Sequence, residues 1–128
     1  AFQYAGSTMD FTALYRLIAS LELFQKENLS VEKIHSWIQQ QQQFFLSELD
    51  LQNHPLVNRR TLLVSDLNNH GHFLTFDLPS VDETQRMVNH LKSREVLVDS
   101  RGTRLRFGFG LYHDQSQIKK AVASLSSR

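Results

Sequence analysis

The side chains best suited to hold an anion are concentrated in residues 99–112. There, Asp99-Ser100-Arg101-Gly102-Thr103-Arg104-Leu105-Arg106-Phe107-Gly108-Phe109-Gly110-Leu111-Tyr112 mixes guanidinium, aromatic and glycine more densely than any other part of the chain. From Thr103 onward the residues alternate as in a strand. Thr103, Leu105, Phe107 and Phe109 share one face, and Arg104, Arg106 and Gly108 share the other. A glycine inside a strand marks a place where a ligand or another backbone comes close. An arginine presents a rigid fork that fits a carboxylate or phosphate. Arg106 beside Gly108 therefore suggests an anion held on that face. The competing reading is an edge strand that carries two solvated arginines, since charged side chains are mostly exposed.

The other chemistry-bearing residues do not assemble into a recognisable site. Among six histidines, His70-Gly71-His72 is the only tight pair. It falls in an expected turn, no carboxylate stands at ligand spacing, and cysteine is absent, so no metal site is expected. No serine sits in a Gly-x-Ser-x-Gly elbow. Gly108-Phe109-Gly110 lacks the further glycine and the lysine of a phosphate loop. No catalytic residue is assigned. What remains is Arg106, the hydroxyls and backbone amides of Gly6-Ser7-Thr8, and Tyr112 after a glycine turn.

These residues need a scaffold, and 128 residues are one domain's worth. A content of 41% hydrophobic and 21% charged residues is that of an ordinary globular chain. A net charge of +1 gives no reason to expect a nucleic-acid partner. The lack of cysteine fits a reducing compartment, and no apolar run approaches a membrane span. A cytoplasmic protein without a membrane partner is expected. The chain opens without methionine, in what reads as a loop leading to a helix, so it is expected to be part of a longer protein.

The elements follow from period and capping. Asp10 is a good N-cap for a mostly buried helix built on Phe11, Leu14, Leu17, Ile18, Leu21 and Phe24, ending near Asn28. Ser30 caps a second helix with Val31, Ile34, Trp37, Ile38, Phe45 and Leu49 as its apolar stripe, ending near Asp50. Within it, the five glutamines from Gln39 to Gln43 read as a solvated face. Residues 61–65 and 72–78 read as a strand hairpin across a turn-rich segment. Ser80 and Glu83 form a capping box for a helix that buries Met87, Val88 and Leu91 and ends near Arg94. Residues 95–99 read as a short strand around Val96 and Val98, and Arg101-Gly102 as the turn into the arginine strand. Asp114 and Gln117 cap a final helix that buries Ile118, Val122 and Leu125. The order of helix pair, hairpin, helix, hairpin and helix predicts a two-layer α+β domain. Its small antiparallel or mixed sheet would have about four strands, with helices mainly on one face.

The run from Leu105 to Tyr112, preceded by Asp99-Ser100-Arg101, resembles the C-terminal signature of kynureninases and of class V aminotransferase-fold enzymes that use pyridoxal phosphate. The opening Phe2-Gln3-Tyr4-Ala5-Gly6-Ser7-Thr8 is similar to the loop that begins the small domain of cysteine desulfurases and their relatives. The element order matches that small domain over residues 1–128. The resemblance implies the small C-terminal domain of a homodimeric enzyme that acts on an amino acid. The most similar activity is hydrolysis at the β-carbon of the kynureninase kind, with aminotransferase or desulfurase chemistry as alternatives. It implies that Arg106, beside Gly108, binds the substrate α-carboxylate. It also implies that Ser7 or Thr8 reaches the cofactor phosphate of the other subunit. Tyr112 matches a family tyrosine, read as anchoring the strand exit, and Arg104 has no counterpart role. The Schiff-base lysine and the groups around the cofactor ring belong to a large domain in such enzymes, so residues 1–128 alone are not expected to be active. From a different class, a free-standing anion-binding or regulatory module with Arg104 and Arg106 is the rival.

Overall fold

A computed structural model describes residues 11–126 apart from 65 and 68. Its chain divides into two compact units, Ala1–Ile34 and His35–Arg128.

In the first unit, α1 (Thr12–Lys26) starts from Phe11, which makes no side-chain cap, while Asp10 lies outside the described residues. The expected burial of this helix is not found. Leu14, Leu17, Ile18, Leu21 and Phe24 recur at helical spacing, yet none of the helix's residues is buried. Periodicity reports that a face is apolar; it does not supply the surface that covers it. The helix ends in a Schellman turn: Asn28 adopts φ 51° and the Leu29 amide donates to Phe24 O at 2.8 Å. Helix α2 (Val31–Gln52) then starts, with Ser30 Oγ accepting from the Lys33 amide at 3.3 Å. Val31 and Trp37 of its expected stripe are exposed.

In the second unit the rest of α2 buries Ile38, Phe45, Leu46 and Leu49. The glutamine run is not the solvated face that composition suggests. Gln41 and Gln42 are buried, and Gln39, Gln41 and Gln42 donate to the carbonyls of Leu67, His113 and Gly71. Long amides on the helix thus serve loop carbonyls that no ladder satisfies.

Strands β1 (Phe73–Asp77), β2 (Asp99–Arg101) and β3 (Arg104–Gly108) form an antiparallel sheet in the order β1-β3-β2. The expected fourth strand is reduced to a bridge between Leu62 and Phe76, with the Leu63 amide donating to Thr75 O and the Asp77 amide to Thr61 O. Helix α3 (Val81–Ser93) is capped by Ser80 Oγ, which accepts from the Glu83 amide at 3.1 Å. The Glu83 carboxylate pairs with Arg86. Leu91 is buried as expected, whereas Met87 and Val88 are half-buried. Residues 95–98 are not a strand, because the exit of α3 consumes them. Glu95 takes φ 62°, and the amides of Glu95 and Val96 donate to Lys92 O and Leu91 O, a second Schellman turn. The sheet therefore resumes only at Asp99. Gly102, φ 59°, opens the two-residue turn into β3, the left-handed conformation that glycine adopts freely. Helix α4 (Gln115–Ala123) carries the complete Asp114/Gln117 capping box and buries Ile118 and Val122.

The alternation on β1 and β3 directs Leu74, Phe76, Leu105 and Phe107 to one buried face. Phe45 packs there, with ring centroids 6.4 Å from Phe76, 4.9 Å from Phe107 and 5.6 Å from Phe109. The result is an α+β domain with helices on one face of an antiparallel sheet. On the other face Phe73, Asp77, Asp99, Arg101, Arg104 and Gly108 are exposed among the described residues.

Candidate functional site

That open face carries the arginines. On β3 it presents Arg104, Arg106 and Gly108, on β1 Phe73, Thr75 and Asp77, and on β2 Asp99 and Arg101. Arg106 sits on the central strand, opposite Thr75 on one side and Asp99 on the other. Its guanidinium forms an ion pair through Nη2 with Asp99 Oδ2, and its Cζ lies 5.3 Å from the centroid of the Phe73 ring. The Asp99 Oδ1 atom accepts from the Ser100 amide at 2.8 Å. The Nε of Arg106 is buried and has no hydrogen-bond partner among the described residues. A buried donor left unpaired costs about 1–3 kcal/mol, so an acceptor oxygen that reached it would be bound favourably.

Arg106 and Gly108 line one cleft of about 590 Å³, which also includes Phe73, Leu97, Val98 and Tyr112. A Cβ built at Gly108 would meet no atom within 4 Å. Packing within the described residues therefore does not require glycine here. Gly110 is different: a Cβ there would come within 2.5 Å of the Tyr112 ring. Tyr112, expected to anchor the strand exit, is 81% exposed. Its ring rests on Gly110 and meets His113 edge-on at 4.5 Å. His113 orders the same turn by accepting from the Gly110 amide through Nδ1 at 3.1 Å. Arg104 is exposed and lies outside the cleft. Ser7 and Thr8 lie outside the described residues.

No group of histidine, cysteine, aspartate or glutamate among the described residues could hold a metal ion. No helix among them is long and apolar enough to cross a membrane. Among the described residues the cleft has no lysine, so its lining does not fit pyridoxal phosphate itself, while Arg106 supplies a guanidinium of the kind that takes a carboxylate.

The role of Asp99 is the feature that sequence reasoning passed over. The signal was available: counting back from the Gly102 turn, with Arg101 opposite Arg104, places residue 99 opposite 106. The diagonal contact of Phe73 had no such signal, because it depends on the register of β1 against β3 across a long connection.

An antiparallel sheet with helices on one face and a cleft beside a strand arginine define a two-layer α+β domain. No family model matches the chain, and no curated protein matches it. Among solved structures, a transaminase with L-alanine aligns over 84% of this chain with a TM-score of 0.56 and 17% identity. The alignment covers 26% of that chain, so the present sequence spans about a quarter of the transaminase's length. At this identity the likeness speaks to fold.

Proposed function

We propose that residues 1–128 are the small domain of a homodimeric, cytoplasmic pyridoxal-phosphate enzyme that acts on an amino acid, most like kynureninase, with hydrolysis at the β-carbon. The observation that carries this reading is the buried, unpartnered Nε of Arg106 beside the open flank of Gly108. A carboxylate oxygen placed there completes the guanidinium's hydrogen bonds, and its charge makes each bond stronger than a neutral one. Arg106 binds and orients the substrate through its carboxylate, while Phe73 and Asp99 fix the plane of the guanidinium. In this reading the cofactor is carried mainly by a large domain outside this chain, with Ser7 or Thr8 reaching its phosphate from the other subunit.

The structural neighbour's description as a transaminase favours amino-group transfer as a second reading. Analysis of products separates the two: hydrolysis releases the side chain as a separate molecule, whereas transfer leaves a keto acid with the carbon skeleton intact. Replacing Arg106→Leu in the whole enzyme removes charged hydrogen bonds of about 1.5–3 kcal/mol, which raises KM about ten- to a hundredfold. An unchanged KM for amino-acid substrates overturns the assignment of Arg106.

A further inference from the structure

We propose that Asp99 is a positioning residue that holds the Arg106 guanidinium in place and weakens its grip on a bound carboxylate. The inference rests on Arg106 being a carboxylate site, as argued above.

A carboxylate that placed both oxygens on Arg106 would satisfy and neutralise the fork. Asp99 does not do this in the observed arrangement. Its Oδ2 pairs with Nη2, its Oδ1 accepts from the Ser100 amide at 2.8 Å, and Nε is left without a partner among the described residues. Arg106 is thus fixed from two sides, by Asp99 across the strand pair and by the Phe73 ring, with a donor to spare.

The same contact puts a negative charge beside any carboxylate that takes up the spare donor. Two like charges a few ångströms apart repel, and the exposure of Asp99, 62% of its side chain, tempers the repulsion without abolishing it. The site therefore binds its ligand less tightly than an unpaired arginine would, which favours release. Conversely, losing the residue's hold would free a long side chain whose ordering is entropically unfavourable.

The test uses the whole protein, with 3-phenylpropionate as the probe: a monocarboxylate with an apolar tail for the Phe73 and Val98 walls and no amino group to react. Binding is followed by the ¹⁵N NMR signal of the Arg106 Nε–H, assigned through Arg106→Lys. In the unaltered protein the probe shifts this signal. Asp99→Asn keeps an acceptor without the charge, and is expected to bind the probe about three- to tenfold more tightly. Asp99→Ser, a second neutral variant, is expected to bind more tightly than the unaltered protein. Asp99→Ala removes the hold, so its Arg106 Nε–H signal broadens in the free protein. If the unaltered protein binds and both neutral variants bind equally or more weakly, the role given to Asp99 is wrong while Arg106 stands. If the probe leaves the Arg106 signal unmoved in every form, both assignments fall.

Discussion

Gln42 offers the sharpest test of how this fold is held together. Its side chain is 1% exposed, Nε2 donates to Gly71 O at 3.1 Å, and Oε1 is buried without a partner among the described residues. One amide thus makes one useful bond and strands one acceptor. In Gln42→Leu the bond is lost, a net change of about 0.5–1.5 kcal/mol, but the stranded acceptor, a penalty of about 1–3 kcal/mol, goes with it. Gly71 is exposed, so its carbonyl recovers a partner from water. Leucine is of similar size and buries more apolar surface. The expected outcome is a protein as stable as the original or about 1 kcal/mol more so, read as an unchanged urea m-value with a higher midpoint. Gln42→Ala removes the same acceptor but leaves a cavity, and should be less stable than Gln42→Leu by about 2 kcal/mol or more. The reasoning is refuted if Gln42→Leu loses more than about 1 kcal/mol, since the amide would then be worth more than its stranded oxygen costs.

Phe45→Ala removes a ring that touches Phe76, Phe107 and Phe109, and should destabilise by about 3–5 kcal/mol in chemical denaturation; a loss below about 2 kcal/mol would mean that the core closes over the gap. His54 gives the expected pH dependence. Burial, assisted by the nearby His90, pushes its imidazole below the ordinary value of 6.5, against a backbone hydrogen bond to Leu125. Its Nδ1 also accepts from the Leu56 and Val57 amides, which requires that nitrogen to be unprotonated. The unfolded chain then binds more protons than the folded one once the pH falls below 6.5, so stability is fully present above that value and declines below it. Urea midpoints at pH 7.5 and 5.5 should differ less in His54→Asn, whose amide oxygen can accept the same bonds; an undiminished difference assigns the effect elsewhere.

Much of this was legible because it is local. Ser80 and Asp114 announce their helices by side-chain chemistry that needs only the next three residues, and both caps form. The alternation along β3 separates Leu105 and Phe107 from Arg106 and Gly108 in the sequence as it does in the sheet. The rest depends on partners distant in the chain. A glutamine on a helix is read as solvated until a loop carbonyl 29 residues away claims it, as Gly71 claims Gln42. The stripe of α1 resembles a buried one because helical period says nothing of cover. Val96 and Val98 have strand propensity, yet the helix end before them dictates their path. Glu95 reverses the chain in a conformation usually left to glycine.

The two-residue turn at Gly102 also works as a ruler. Because Arg101 and Arg104 close it as a pair, every residue counted back along β2 has its partner on β3 fixed, and Asp99 arrives opposite Arg106. A segment one residue shorter at this point, still closing as a two-residue turn, would bring Val98 opposite Arg106 and turn Asp99 toward the core beside Leu105. The anion cleft is therefore tied to the spelling of a turn that contributes no side chain to its lining. A homologue shortened there would lose the carboxylate beside its strand arginine, and with it the brake on carboxylate binding.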